Sequence, residues 1–356
     1  MKQFIGCDAH KKYSVFVAIN EQGQSGKAIR VEHGRGLYRD FLEQLPAESL
    51  IALEAGGHYY WLVDEIERAG HQAILANPLE AKKRMGRAGK KTDQGDAEGL
   101  AILLRNGTLP TVWIPPAKLR DQRELLRLRM FLVGQRTQWK NRIHGALARY
   151  NIVLAAKDTF TQAGRLELSS RLKALPTHTR DSVESELATL DFLQLQIEQT
   201  EDRLTAVFKT SAEVDLLKTI PYVGRILSMV LALEIGDVNR FPSSAHLASY
   251  SGLVPRVHSS GGRTRLGQVR GNVNRYLKWA FVEAANLVVM HQRQLPGTHV
   301  VALYRRIKRK KNHQKAAVAV ARHLAEAAYW ILKKQQPYRE PCKAPQTART
   351  SSSTHG

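Results

Sequence analysis

The chain has 356 residues, with 54 Lys+Arg against 32 Asp+Glu and a formal net charge of +22. That length suits two or three domains with real cores, and that excess of cations points to a polyanionic partner, most simply nucleic acid. No apolar run approaches the length of a bilayer span and no signal peptide opens the chain. Cys7 and Cys342 match no zinc spacing and suggest no disulfide scaffold. Membrane, secreted and zinc-finger classes are therefore set aside, and a cytoplasmic nucleic-acid-binding protein is expected.

The first third reads as α/β. FIGCDAHKKYSVFVAIN gives two apolar strands about a polar turn, and GKAIRVEHG a third. Residues 36–45 have helical spacing, LIALEAGG is a buried strand ending in glycines, and HYYWLVDEIERAG is a helix stopped by Gly70. HQAILANP is another strand, closed by Pro78. Strands first, then alternating helices and strands, predict a mixed sheet covered by helices.

Beyond Trp113-Ile114-Pro115-Pro116 the texture changes to long, basic helices. Residues 118–150 place Leu125, Leu128 and Leu132 on one face, and residues 181–208 place Leu190, Ile197 and Leu204 one heptad apart. A helical hairpin or coiled-coil arm is expected, with intramolecular bundling and dimer contact both open. From Ala212 two helical patterns flank the turn Pro221-Tyr222-Val223-Gly224. They are followed by a basic, Gly-rich loop (SSGGRTRLGQVRGN), the helix RYLKWAFVEAANLVV, the basic run YRRIKRKKNHQK and an Ala-rich helix to about Lys334. The Pro/Ser/Thr-rich end is expected to be disordered. These textures divide the chain at residues 1–113, 114–209, 210–335 and 336–356.

Four carboxylates stand out. Asp8 ends the first strand and Glu54 ends LIALE; adjacent strands would bring both to one sheet edge. Asp93 and Asp96, in KKTDQGDAE, are spaced i, i+3 and share a helix face. Together they suit hard divalent cations, Mg²⁺ foremost with Mn²⁺ as substitute, because such ions take oxygen ligands and complete their shell with water and phosphate. Taken singly, each acid also reads as an ordinary cap or turn former, and Glu98 only as a first-turn acid. An acid closing an apolar strand is harder to dismiss, since burying a charge is costly unless it is paired or metal-bound.

IPYVG resembles a helix-hairpin-helix turn, which can hold a phosphate on its amides, but Tyr222 stands where the first glycine is usual. In SGLVPRVHSSGGRTRLG, Ser259 and Ser260 precede two glycines and two arginines. A serine attacking a phosphodiester needs such backbone freedom and such cationic clamps, while composition alone favours a flexible basic loop with turn-forming serines. Phosphate contacts are assigned to Lys90 and Lys91, to Arg256, Arg263, Arg265 and Arg270 in and beside the loop, and to Arg305, Arg306, Lys308, Arg309, Lys310 and Lys311.

The succession Asp8, Glu54, KTDQGDA with Asp93 and Asp96, LEAGGHYYW, IPYVGRILSMVLALEIGDVNRF and GLVPRVHSSGG resembles the DEDD transposases (recombinases) of the "IS one-ten" insertion sequences, in their "eleven-eleven" branch. The resemblance covers nearly everything up to about residue 335. It implies an N-terminal RuvC-like (RNase H-type) α/β domain, a coiled-coil connection, and a mostly α C-terminal transposase domain with a helix-hairpin-helix-like element. It implies Asp8, Glu54, Asp93 and Asp96 as the Mg²⁺ tetrad and Ser260 as nucleophile, with Ser259 its neighbour. It further implies double-stranded donor and target DNA, a structured non-coding guide (bridge) RNA and a homodimer or tetramer as partners, no membrane, and a bacterial, nucleoid-associated setting. Two other mechanisms fit the residues: a junction resolvase or nuclease using metal-activated water, and a non-enzymatic architectural protein.

Overall fold

Strand β1 (Phe4–Ala9) is central to a five-stranded sheet of order β3-β2-β1-β4-β5, formed with β2 (Tyr13–Ile19), β3 (Ile29–Glu32), β4 (Leu50–Glu54) and β5 (Gln72–Ala76). β1 runs antiparallel to β2 and parallel to β4, and β4 parallel to β5. The computed structural model describes residues 3–34, 36–86, 92–209, 211–260, 263–269 and 273–341, in two units, residues 1–117 and 118–356.

In the first unit the period of two sorts side chains between the faces of the sheet. Ile5, Cys7, Ile51 and Leu53 pack on one side with Leu42 of α1 (Leu37–Glu43) and Leu62 and Ile66 of α2 (Tyr59–Arg68). On the other side lie Ala52, Ala76, Val15 and Val17, covered by Ala97, Leu100 and Leu103 of α4 (Asp93–Arg105), with α3 (Pro78–Met85) beside it. Gly6 lets α4 lie close, because a Cβ there would stand 1.9 Å from the Ala97 carbonyl oxygen.

In the second unit α5 (Ala117–Arg149), α6 (Gln162–Arg171) and α7 (Thr177–Val207) form the expected helical hairpin. Arg129 bonds Glu201 at 2.7 Å, Arg136 bonds Gln194 at 2.6 Å, and Arg142 pairs with Glu186; one partner number rises as the other falls, so α5 and α7 run antiparallel. The heptad residues Leu190, Ile197 and Leu204 are all buried within this chain. Leu128 lies on α5 with Leu125 and Leu132 and is 43% exposed. Leu126 and Leu204 join the core of α8 (Ala212–Leu217), α9 (Arg225–Ile235), α10 (Ser244–Tyr250), α11 (Arg275–Met290), α12 (His299–Lys310) and α13 (His313–Lys334).

Two expectations are corrected. The serine segment, expected as a loop, forms an antiparallel hairpin of β6 (Pro255–Ser260) and β7 (Arg263–Val269), in which Ser260 pairs with Arg263 and His258 with Arg265. Two β-capable runs joined by two glycines are a hairpin signal that composition alone hides. The tail is ordered at its start: the Tyr338 amide donates to Thr219 Oγ1 at 2.8 Å, and Glu340 accepts from the His299 amide at 2.8 Å. Residues 342–356 lie outside the described residues. Among the described residues no helix is long and apolar enough to cross a membrane.

Candidate functional site

The last paired residues of β1 and β4 are Cys7 and Leu53, so Asp8 and Glu54 are the next residues of two parallel neighbours. Asp8 follows Gly6 by two and Glu54 follows Ala52 by two, which puts both on the face that α4 covers. α4 starts over that edge. Thr92 is its N-cap, with Oγ1 accepting from the Gly95 amide at 3.1 Å, so Asp93 and Asp96 occupy the first turn, where the helix dipole favours anions. The capping role left open for Asp93 thus belongs to Thr92.

Asp8, His10 and Asp93 each offer a ligand atom within 4.8 Å of the others. His10 Nε2 stands 3.2 Å from Asp8 Oδ2 and 3.3 Å from Asp93 Oδ2, between the two carboxylates. Tyr13 donates its hydroxyl to Asp93 Oδ2 at 3.0 Å, stacks on the His10 ring at 4.6 Å, and lies under the Arg30 guanidinium at 3.5 Å. Burial raises the Asp8 carboxyl above its ordinary value, with the Asp96 and Asp93 charges adding and His10 opposing. A half-buried carboxyl crowded by two more is the setting in which a hard cation binds, because it removes the repulsion that the fold maintains. The donor set therefore fits a divalent metal. Glu54 stands at the neighbouring strand end outside the three-residue group, and Asp96 acts on Asp8 through its charge.

His10 and Tyr13 were not picked out by the sequence reading. The signal was there: a histidine in the short turn that follows a strand-ending Asp, and a tyrosine opening the next strand. Beneath the site Cys7 is buried, and desolvation pushes its thiol up to about 12, so it is an inert core residue.

In the second unit Ser260 is the last residue of β6 and Arg263 the first of β7. The backbones of Arg256, Arg263 and Arg265 lie on the hairpin, while Lys90, Lys91 and Arg270 lie outside the described residues. Arg305, Arg306, Lys308, Arg309 and Lys310 are exposed on α12, whose Val300, Val301 and Tyr304 are buried, and Lys311 follows at its C-cap. Arg305 donates to Gln292 at 3.1 Å, and Asn312 then caps α13, so the basic run is one helix end plus a cap. In the IPYVG turn Tyr222 adopts φ +60°, the left-handed region that a glycine would enter freely. Its ring stacks on His291 at 5.0 Å and its hydroxyl donates to Gln294 at 2.9 Å, contacts that hold it there.

Two family models match separate stretches of the chain, the first running from the sheet unit through α5. A DEDD transposase family model of the IS110 type matches residues 5–152, and a model described as "Transposase IS116/IS110/IS902 family" matches residues 214–299. The chain is 27% identical over 80% of its length to a "Probable family 20 transposase" of Pseudomonas aeruginosa, covering 83% of that protein. It is 29% identical over 94% of its length to "Putative transposase y4pF/y4sB" of Sinorhizobium fredii, covering 85% of it. To the "Transposase for insertion sequence element IS1111A" of Coxiella burnetii it is 26% identical over 95% of its length, covering 91%. The carboxylate edge in the first unit and the serine hairpin in the second fall inside these two matched regions, and the chain belongs to the IS110 family of insertion-sequence transposases, enzymes that recombine DNA.

Proposed function

We propose that this transposase cuts and rejoins DNA through a serine–DNA intermediate formed at Ser260, aided by Mg²⁺ (or Mn²⁺) at Asp8, Glu54, Asp93 and Asp96. The observation that carries the metal half is the approach of Asp8, His10 and Asp93 within 4.8 Å at a strand-and-helix edge. The order β3-β2-β1-β4-β5, with β2 alone running opposite to the other four strands, supports a RuvC-like domain.

Asp8 and Asp93 would hold the cation, with Asp96 and Glu54 supplying further oxygens. When bound, the cation neutralises charge on the scissile phosphate and stabilises the departing oxygen. Ser260 Oγ attacks phosphorus, its proton passing to solvent; an O–P bond forms to serine as the O–P bond to the cut strand breaks, and the departing oxygen gains a proton. Arg256, Arg263, Arg265 and Arg270, with Lys90, Lys91 and the α12 cations Arg305, Arg306, Lys308, Arg309, Lys310 and Lys311, contact phosphates. Those six residues at the end of α12, Lys311 included, form a dense block of positive charge suited to phosphate contact, with sequence read in this proposal by a structured guide RNA. Self-assembly, as a dimer or tetramer, and action in the bacterial cytoplasm on nucleoid DNA complete the proposal.

Ser260→Ala tests it. The parent should yield a DNA adduct that survives denaturing electrophoresis and depends on Mg²⁺, and the variant none, with DNA binding unchanged. Cleavage that survives in the variant would instead establish hydrolysis by metal-activated water.

His10→Ala separates ligand from neighbour. Imidazole suits Mn²⁺ better than Mg²⁺, so calorimetric Mn²⁺ affinity should fall more than Mg²⁺ affinity. Equal losses would show that His10 only orders the carboxylates.

A further inference from the structure

The 23 residues that leave α10 after Tyr250 and return before Asn274 contain the whole serine hairpin. Both ends of this excursion meet at one backbone bond, the Asn274 amide donating to the Tyr250 carbonyl at 2.9 Å. Asn274 is also the N-cap of α11: its Oδ1 accepts from the Tyr276 and Leu277 amides, each at 3.0 Å. Its remaining group, Nδ2, donates to Glu234 Oε2 at 2.8 Å.

Glu234 is in α9 and its side chain is 0% exposed, fully enclosed by the protein. It is held from the long helix. Arg127 of α5 grips it bidentately, Nε to Oε1 at 3.0 Å and Nη2 to Oε2 at 3.2 Å, and lays its guanidinium on the Tyr276 ring at 4.8 Å. Arg123, one turn back, donates to the Leu233 and Glu234 carbonyls at 2.8 and 3.1 Å. Arg240 donates to the Ile235 carbonyl at 3.0 Å and lies 4.6 Å over the Tyr250 ring. Three guanidiniums thus converge on one buried stretch of α9, and its carboxylate touches the residue that closes the hairpin. A core could be packed there with apolar groups at no loss of stability. A bidentate, directional set instead fixes geometry.

We infer that Glu234 is a positioning residue for the serine hairpin, the junction through which helix α5 sets where the strand bearing Ser260 stands. The inference rests on the serine reading above for its catalytic consequence, and on geometry alone for its mechanical one. Any displacement of α5, such as nucleic acid or a second copy would impose on the α5–α7 hairpin, reaches the base of the serine hairpin through Arg127, the fully buried Glu234 and Asn274.

Donor and acceptor at this junction can be exchanged. In Glu234→Gln one carboxylate oxygen becomes an NH2 that meets a donor whichever way the amide turns, Asn274 Nδ2 with Arg127 Nη2 or Arg127 Nε; Asn274→Asp sets carboxylate against carboxylate. The double variant Glu234→Gln/Asn274→Asp restores one donor and one acceptor between the two positions and their summed charge; it keeps one oxygen for Arg127 Nε and gives up the bond from Arg127 Nη2, and Asp remains a good N-cap. Each single variant should lower the rate of adduct formation by about tenfold or more with DNA affinity held within about twofold, and the double should recover part of that loss, well above either single. Asn274→Ser, which keeps a capping oxygen but cannot reach Glu234, should behave as the single variants do.

Amide hydrogen exchange over residues 255–269, measured on the same full-length proteins, reads position without chemistry. Exchange should quicken there in the single variants and return in the double, while β1 is unchanged. Unaltered exchange, or a double variant no better than the singles, would overturn the inference. A parent that forms no adduct, with exchange changing as described, would overturn the serine reading and leave the junction standing.

Discussion

Asp8→Asn should reduce strand cleavage by about a thousandfold or more while leaving the protein folded, because it removes a metal-binding charge worth several kcal/mol to the transition state. Its stability should move the other way. The Asp8 carboxyl has its pKa raised in the folded chain by burial and by Asp96 and Asp93. A folded pKa above the unfolded one means that the folded state holds the proton more tightly, so ionisation costs stability. The cost is absent below the ordinary carboxylate range, grows through the interval up to the raised value, and is complete above it. At neutral pH without metal, thermal unfolding of Asp8→Asn should therefore come at or above the parent's, and added Mg²⁺ should stabilise the parent more than the variant. Unchanged cleavage would establish that the carboxylates are structural.

Gly6→Ala carries the largest expected structural effect. The added methyl would stand 1.9 Å from the Ala97 carbonyl oxygen and 2.7 Å from the Ala101 amide, backbone atoms that cannot rotate aside. Either α4 lifts from the sheet or β1 shifts, at a cost of about 3 kcal/mol or more, the upper end of overpacking penalties. Lifting α4 also carries Asp93 and Asp96 away from Asp8, so cleavage should fall together with the urea midpoint. Gly134, in α5 with open space around it, provides the control: Gly134→Ala should leave both within error or slightly raise stability. A Gly6→Ala protein as stable as the parent would mean that α4 does not seat on β1 as described.

The strands, the long helices and their order could be read directly, since apolar periods of 2 and 3.6 are local properties of the chain. So could the acids, because Asp8 and Glu54 each interrupt an apolar run at its end and Asp93 and Asp96 share a helix face. The hairpin was legible in principle from its two glycines, yet a count of Ser, Gly and Arg gives the same answer for a loop. Heptad spacing in residues 190–204 showed that one face is buried without showing against what; α5 of the same chain turned out to be the partner.

His10 and Tyr13 belong to the site only because β2 turns back beside β1 and brings them against Asp93, 80 residues or more away. Gly6 reads as an unremarkable strand glycine until α4 is laid across it. Glu234 reads as one acid in an apolar helix, and only tertiary packing delivers Arg127 from more than 100 residues upstream and Asn274 from 40 downstream to satisfy it. By itself the sequence determined which elements form and which residues carry chemistry, for those follow from neighbours along the chain. The tertiary structure alone decided which of those residues touch, since a contact across 40 to 110 positions depends on close approach of backbones and on the pairing of buried charges, and neither leaves a periodic trace.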